Sequence, residues 1–81
     1  MKLPRDLSGK ELAKTLKTFG YEVTHQTGSH MRLTTKEQGE HHITIPQHSP
    51  LRVGTLAGIL AEVAQHFGMN RDEVAERLFG K

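Results

Sequence analysis

Tyr21-Glu22-Val23-Thr24-His25-Gln26-Thr27-Gly28-Ser29-His30-Met31-Arg32-Leu33-Thr34-Thr35 reads as two alternating strands around a Gly-Ser turn. The register of that hairpin decides the fold. A two-residue loop at Gly28-Ser29 would set Val23 opposite Thr34 and mix apolar with polar side chains on one face. A three-residue loop, Thr27 to Ser29, sets Val23 opposite Leu33 and His25 opposite Met31. A one-residue slip flips every side chain, so the apolar pattern predicts the three-residue loop. His41 to Pro46 supplies a third strand, with Ile43 and Ile45 pointing one way, reached through the Lys36 to Glu40 loop and its Gly39. One sheet face then carries Tyr21, Val23, Met31, Leu33, Ile43 and Ile45. The other carries Thr24, Gln26, His30, Arg32, Thr34, His42 and Thr44. The second set is uniformly polar, so helices are expected over the first face alone.

The flanking segments supply those helices. Ser8 and Glu11 form a capping box, with Leu7 and Leu12 as the hydrophobic staple. Leu12, Leu16 and Phe19 recur at helical spacing, and Gly20 is placed to end the helix in a left-handed turn. After a Gln47 to Arg52 connection, Leu56, Ile59, Leu60, Val63 and Phe67 keep the helical period, and Gly68 closes it. Asn70 with Glu73 caps a short last helix, Met69 with Val74 staples it, and Val74 and Leu78 form its buried side. The order α-β-β-β-α-α, with hairpin-joined strands, predicts an α+β sandwich.

Eighty-one residues are expected to form one domain, 1–81, with a thin core. The chain has no cysteine, which excludes a disulfide framework and a thiolate metal site. No apolar run approaches membrane-spanning length and no signal-peptide pattern precedes the first helix, so a soluble cytoplasmic protein is expected. The formal net charge of +2 permits a polyanionic partner without demanding one.

Three features suit such a partner. The turn Gly28-Ser29 offers backbone N–H groups to an anion, and His30 follows it directly. Histidine, with an ordinary pKa of about 6.5, both takes and gives a proton near neutrality. Arg32 continues the same polar face. Lys10, Lys14 and Lys17 form one stripe on the first helix, opposite its apolar side, able to track a phosphate backbone. Arg52 with Gly54 and Thr55 opens the long helix, where free N–H groups and the helix dipole favour a phosphate. Each has an ordinary reading as well: a polar hairpin tip, a solvated helix face, a plain helix start. His41, His42 and His48 cannot easily share one metal ion, since adjacent strand residues face opposite ways and no acidic residue or cysteine completes a triad. No metal and no cofactor is expected.

Several fragments, in this order and spacing, resemble the HicA family of toxin ribonucleases. They are Leu3-Pro4-Arg5-Asp6-Leu7-Ser8-Gly9-Lys10-Glu11-Leu12, then Phe19-Gly20-Tyr21 and Gly28-Ser29-His30, then Ile45-Pro46-Gln47-His48, Gly54-Thr55-Leu56 and Ile59-Leu60. The resemblance implies a double-stranded-RNA-binding-domain-like fold, α-β-β-β-α, here with an additional short C-terminal helix. It implies a small endoribonuclease that cuts mRNA and is silenced by a HicB-type antitoxin, with His30 as the catalytic histidine. In domains of that shape the first helix, the first hairpin loop and the start of the last main helix meet RNA. Here these are the lysine stripe, Gly28-Ser29, and Arg52 with Gly54 and Thr55. His25, His42 and His48 remain candidates for a second proton carrier. Two other functions stay open: an RNA-binding module without catalysis, and a degenerate toxin that only binds a partner.

Overall fold

In the computed structural model, which describes residues 3–80, the reciprocal cap forms as the sequence predicts. The Ser8 hydroxyl accepts from the Glu11 N–H (3.1 Å) and the Glu11 carboxylate accepts from the Ser8 N–H (3.0 Å). The Ser8 N–H, and then its hydroxyl, hold the Glu11 carboxyl below the usual carboxylate range. Helix α1 (Gly9–Thr15) starts there. The sequence predicts one helix through Phe19, but α-helical bonding stops at Thr15 and Leu16–Phe19 wind as a 3₁₀ turn. A tightened last turn is a common way to satisfy the final carbonyls. Gly20 then reverses the chain at φ 82°, where a side chain would be strained.

Strands β1 (Glu22–Gln26), β2 (His30–Thr35) and β3 (His41–Pro46) form an antiparallel sheet in that order. Its register corrects the predicted three-residue loop. Thr27 N–H donates to the His30 carbonyl (2.9 Å), so the loop is the two residues Gly28 and Ser29. Gln26 pairs with Met31 and His25 with Arg32, yet Val23 still pairs with Leu33. A β-bulge at Thr24 reconciles the two, since one extra residue on β1 shifts the register by one. The predicted Val23–Leu33 pair forms, but the ladder between it and the turn is not regular. Gln26 therefore lies on the helix-covered side with Met31, and His25 on the open side with Arg32. The β2–β3 ladder is regular, with Met31 opposite Ile45, Leu33 opposite Ile43 and Thr34 opposite His42.

Helix α2 (Val53–Phe67) ends at Gly68, φ 66°, and α3 (Arg71–Phe79) begins at an Asn70–Glu73 capping box. Helices α1 and α2 lie against the sheet, and α3 packs on α2 and the 3₁₀ turn. The core joins Leu12, Leu16, Phe19, Tyr21, Met31, Leu33, Ile43, Ile45, Leu56, Ile59, Leu60, Val63 and Val74. Val23 was expected among them but is 43% exposed, because β1 is an edge strand and no helix closes over it. Leu51 and Thr35 are buried instead. Thr35 is accommodated because its hydroxyl donates to the Phe19 carbonyl (2.9 Å) and accepts from the Glu37 N–H (3.2 Å). The architecture is the expected α+β arrangement of the double-stranded-RNA-binding-domain kind, α-β-β-β-α with a further short helix. Among the described residues no helix is long and apolar enough to cross a membrane.

Candidate nucleic-acid interface

The β1–β2 tip is built around Thr27. Its hydroxyl accepts from the N–H groups of both Ser29 (3.3 Å) and His30 (3.1 Å), the local side-chain bonding by which threonine tightens a turn. The Ser29 N–H, expected to face an anion, is thus turned inward. The Gly28 N–H has no such bond to Thr27, and a Cβ added at Gly28 would meet nothing within 4 Å, so ligand can approach its backbone closely. His30 is exposed at the first position of β2. Its Nδ1 lies 2.9 Å from the Ser29 hydroxyl, which leaves Nε2 as the outward nitrogen. If Nδ1 accepts, Nε2 carries the proton and can give it; if Nδ1 donates, Nε2 can take one.

A groove of about 200 Å³ runs beside the tip between α1 and β1, lined by Lys10, Ala13, Lys14, Lys17, Val23, Gln26, Met31 and Gln47. The three lysines share one face, as the spacing predicts, but that face is not remote from the apolar side. It forms one wall of the groove, with Ala13, Val23 and Met31 beneath it. Gln47 ties groove to tip: its side-chain amide donates to the Thr27 carbonyl (3.2 Å) and its N–H to the Ser29 carbonyl (2.8 Å). Sequence reasoning gave Gln47 and Gln26 no role at the groove. Gln47 stands within the Ile45-to-His48 fragment, but only the actual chain path after β3 reveals what it touches. Gly9 helps set that path, since its N–H donates to the His48 carbonyl (3.0 Å).

The remaining candidates are spread around this centre. Arg32 lies on the open face, across the sheet from the groove, opposite Thr44. Arg52 occupies the N-cap of α2 without supplying a side-chain cap, so the first-turn N–H groups of Val53, Gly54 and Thr55 receive no side-chain oxygen from it. Gly54 is open, with nothing within 4 Å of an added Cβ. His42 shares the open face with His30 but sits four ladder positions along β2, about 13 Å away. It is held there at both nitrogens, by Thr34 Oγ1 (2.7 Å) and Glu40 Oε2 (2.9 Å). His48 lies in the loop after β3, and His41 faces the core side, bonded to the Tyr21 hydroxyl (2.8 Å). The acidic Lys36–Glu40 loop stands at the opposite end of β2 from His30, about 17 Å along the strand. Among the described residues no three His, Cys, Asp or Glu side chains converge on a point that could hold a metal.

Residues 9–65 match the family model described as HicA toxin of bacterial toxin-antitoxin. The chain belongs to the HicA toxin family. The match covers more than two thirds of the sequence, from the first residue of α1 almost to the end of α2, and leaves the Leu3–Ser8 lead-in and α3 outside it. No curated protein and no solved structure matches the chain. HicA toxins are in general endoribonucleases that cleave mRNA, and they pair with HicB antitoxins. The tip, the groove and both faces of β2 fall within the matched stretch.

Proposed function

We propose that this HicA protein cuts mRNA by metal-independent transphosphorylation, with His30 moving the proton. The single observation that carries this is the exposed His30 imidazole, steadied through Nδ1 by the Ser29 hydroxyl (2.9 Å), at a hairpin tip that Gln47 ties to the lysine-walled groove on the other side of the sheet. RNA brings its own nucleophile. The ribose 2′-hydroxyl attacks the adjacent phosphorus, the bond to the 5′-oxygen breaks, and a cyclic phosphate and a free 5′-hydroxyl result. The protein has to take up or supply a proton and offset charge on the phosphoryl oxygens. His30 serves the proton, a contribution of roughly 10²- to 10⁴-fold. The Gly28 N–H and the Ser29 hydroxyl face the phosphate. Lys10, Lys14 and Lys17 hold flanking phosphates along the groove. Arg32 adds positive charge on the open face that it shares with His30, and Arg52, Gly54 and Thr55 seat a more distant phosphate at the start of α2. The enzyme acts in the cytoplasm, where its mRNA substrate is, and a HicB-type antitoxin silences it by covering these surfaces.

Purified parent and His30→Ala proteins, incubated with mRNA in EDTA, test the reading. The parent is expected to yield fragments ending in a cyclic phosphate, and the variant to lose at least about a hundredfold in rate. Equal cutting by the two proteins would remove His30 from the mechanism. Binding of RNA by the parent without any cleavage would instead favour the plain RNA-binding module.

A further inference from the structure

We propose that His25 is the second proton carrier of the reaction, paired with His30 across the β1–β2 ladder; this rests on the ribonuclease reading above. The bulge at Thr24 is what brings the two histidines to one face. A regular ladder from the Val23–Leu33 pair would set His25 opposite Met31, on the side the helices cover. With the extra residue, His25 stands opposite Arg32 on the open face. The bulge is held in place from that face, where Thr24 Oγ1 bonds Thr34 Oγ1 (2.9 Å) and the Arg32 carbonyl (3.3 Å). Bulges are over-represented beside active sites, where they re-aim a side chain.

Arg32 and His30 lie two residues apart on β2, so they share a face, and both are exposed, as is His25. His25 and His30 therefore occupy diagonal ladder positions, about 7–8 Å apart at Cα. Arg32 stands directly across from His25, at the corner of the triangle. The other histidines of the sheet and helices are engaged elsewhere. His41 bonds Tyr21 (2.8 Å), His42 bonds Thr34 (2.7 Å) and Glu40 (2.9 Å), and His66 Nε2–H donates to the Glu37 (2.9 Å) and Gly39 (3.0 Å) carbonyls.

Two imidazoles on a diagonal can flank one phosphodiester. One takes the proton of the 2′-hydroxyl as the 2′-oxygen–phosphorus bond forms. The other, protonated, gives its proton to the 5′-oxygen as the phosphorus–oxygen bond breaks. One proton enters the pair and one leaves it, and exchange with water restores both histidines. The Arg32 guanidinium, always charged and able to bond two phosphoryl oxygens at once, offsets the charge that builds between them. The pair lets attack and departure be assisted together, where a lone His30 must serve them in turn.

The test uses single-turnover cleavage of a short RNA by the full-length parent, His25→Ala and His30→Ala proteins. Each is also tested on the same RNA with sulfur replacing the bridging 5′-oxygen at the cut site. A thiolate leaves without being protonated, so this substrate bypasses the acid and leaves the base still needed. On ordinary RNA, His25→Ala is expected to lower the maximal single-turnover rate constant by roughly 10²- to 10⁴-fold with little change in the protein concentration that gives half of it. On the sulfur substrate one of the two variants, and not both, should recover to near the parent rate. His25→Ala cutting ordinary RNA within twofold of the parent, with His30→Ala inactive, would overturn the pairing and leave the ribonuclease reading standing. Sulfur rescue of neither variant or of both would also overturn the pairing. If neither substitution slows cleavage, the ribonuclease reading through His30 falls with it.

Discussion

At the residue scale, the tip shows how little protein is needed to aim an imidazole. Thr27 gathers two N–H groups with one hydroxyl, and Ser29 steadies the ring that follows it. Within the protein, Ser29→Ala removes only the bond to His30 Nδ1 and leaves the two-residue loop, whose closing bond runs between Thr27 and His30. A hydrogen bond of this kind is worth about 1 kcal/mol, or roughly fivefold in rate if the ring must be oriented in the transition state. The kcat of Ser29→Ala is therefore expected to fall about fivefold with the same thermal midpoint as the parent. An unchanged kcat would show that Ser29 does not orient the ring. The place of His30, exposed at the start of β2, was legible from sequence, since a histidine after Gly-Ser at a strand start is visible in one dimension. The inward turn of the Ser29 N–H was not, because it depends on which rotamer Thr27 adopts.

At the scale of elements, both capping boxes, the two left-handed glycines and nearly every apolar face could be read in advance, because those signals are local. Ser8 with Glu11 and Asn70 with Glu73 close as written, and Gly20 and Gly68 both take left-handed conformations. The bulge could not be read. Its effect is to let two locally favoured states coexist, a two-residue turn at Gly28-Ser29 and an apolar Val23–Leu33 pair, which a regular strand would force to exclude each other. That one insertion moved His25 and Gln26 to opposite faces from those the alternation predicts. Contacts between elements were equally hidden. Gly9 opens α1, and a Cβ there would collide with the Pro46 carbonyl oxygen at the end of β3. This close approach lets the Gly9 N–H reach the His48 carbonyl and carries Gln47 past the tip. Neither partner is a flexible side-chain end, so Gly9→Ala has to separate α1 from β3. It is expected to destabilise the fold by about 1–3 kcal/mol, read as a lower urea midpoint with an unchanged slope. A midpoint equal to the parent's would mean that the helix can slide without cost.

At the scale of the whole molecule, the two ends of the sheet divide the work. The β1–β2 tip carries exposed polar groups and the mouth of the lysine groove, while the opposite end is closed by rings. There Tyr21 is fully buried, its hydroxyl 2.8 Å from His41 Nδ1. His41 stacks on His66 at 4.4 Å, and Phe67 meets both Tyr21 (6.2 Å) and His66 (4.8 Å) edge-on. Burial, aided by the nearby Glu62 carboxylate, pushes the Tyr21 hydroxyl up to about 12. Burial first, then the neighbouring His66, lowers His41, against the pull of Glu62. The two shifts act at opposite ends of the pH scale. A histidine lowered in the folded state contributes stability that is whole above about 6.5 and fades as pH falls below it. A tyrosine raised in the folded state contributes stability that is whole below about 10 and fades as pH rises beyond it. Tyr21 is the chain's one tyrosine and there is no tryptophan, so phenolate absorbance reports this end of the sheet alone. In the native protein phenolate should not form at about pH 10, as it does in the chain unfolded in denaturant. It should appear well above that, together with the loss of helical circular dichroism, because a buried site that rejects the charge releases it by opening. A native titration midpoint near 10, with the helical signal intact, would show that water reaches Tyr21 and that the ring cluster does not close this end of the sheet.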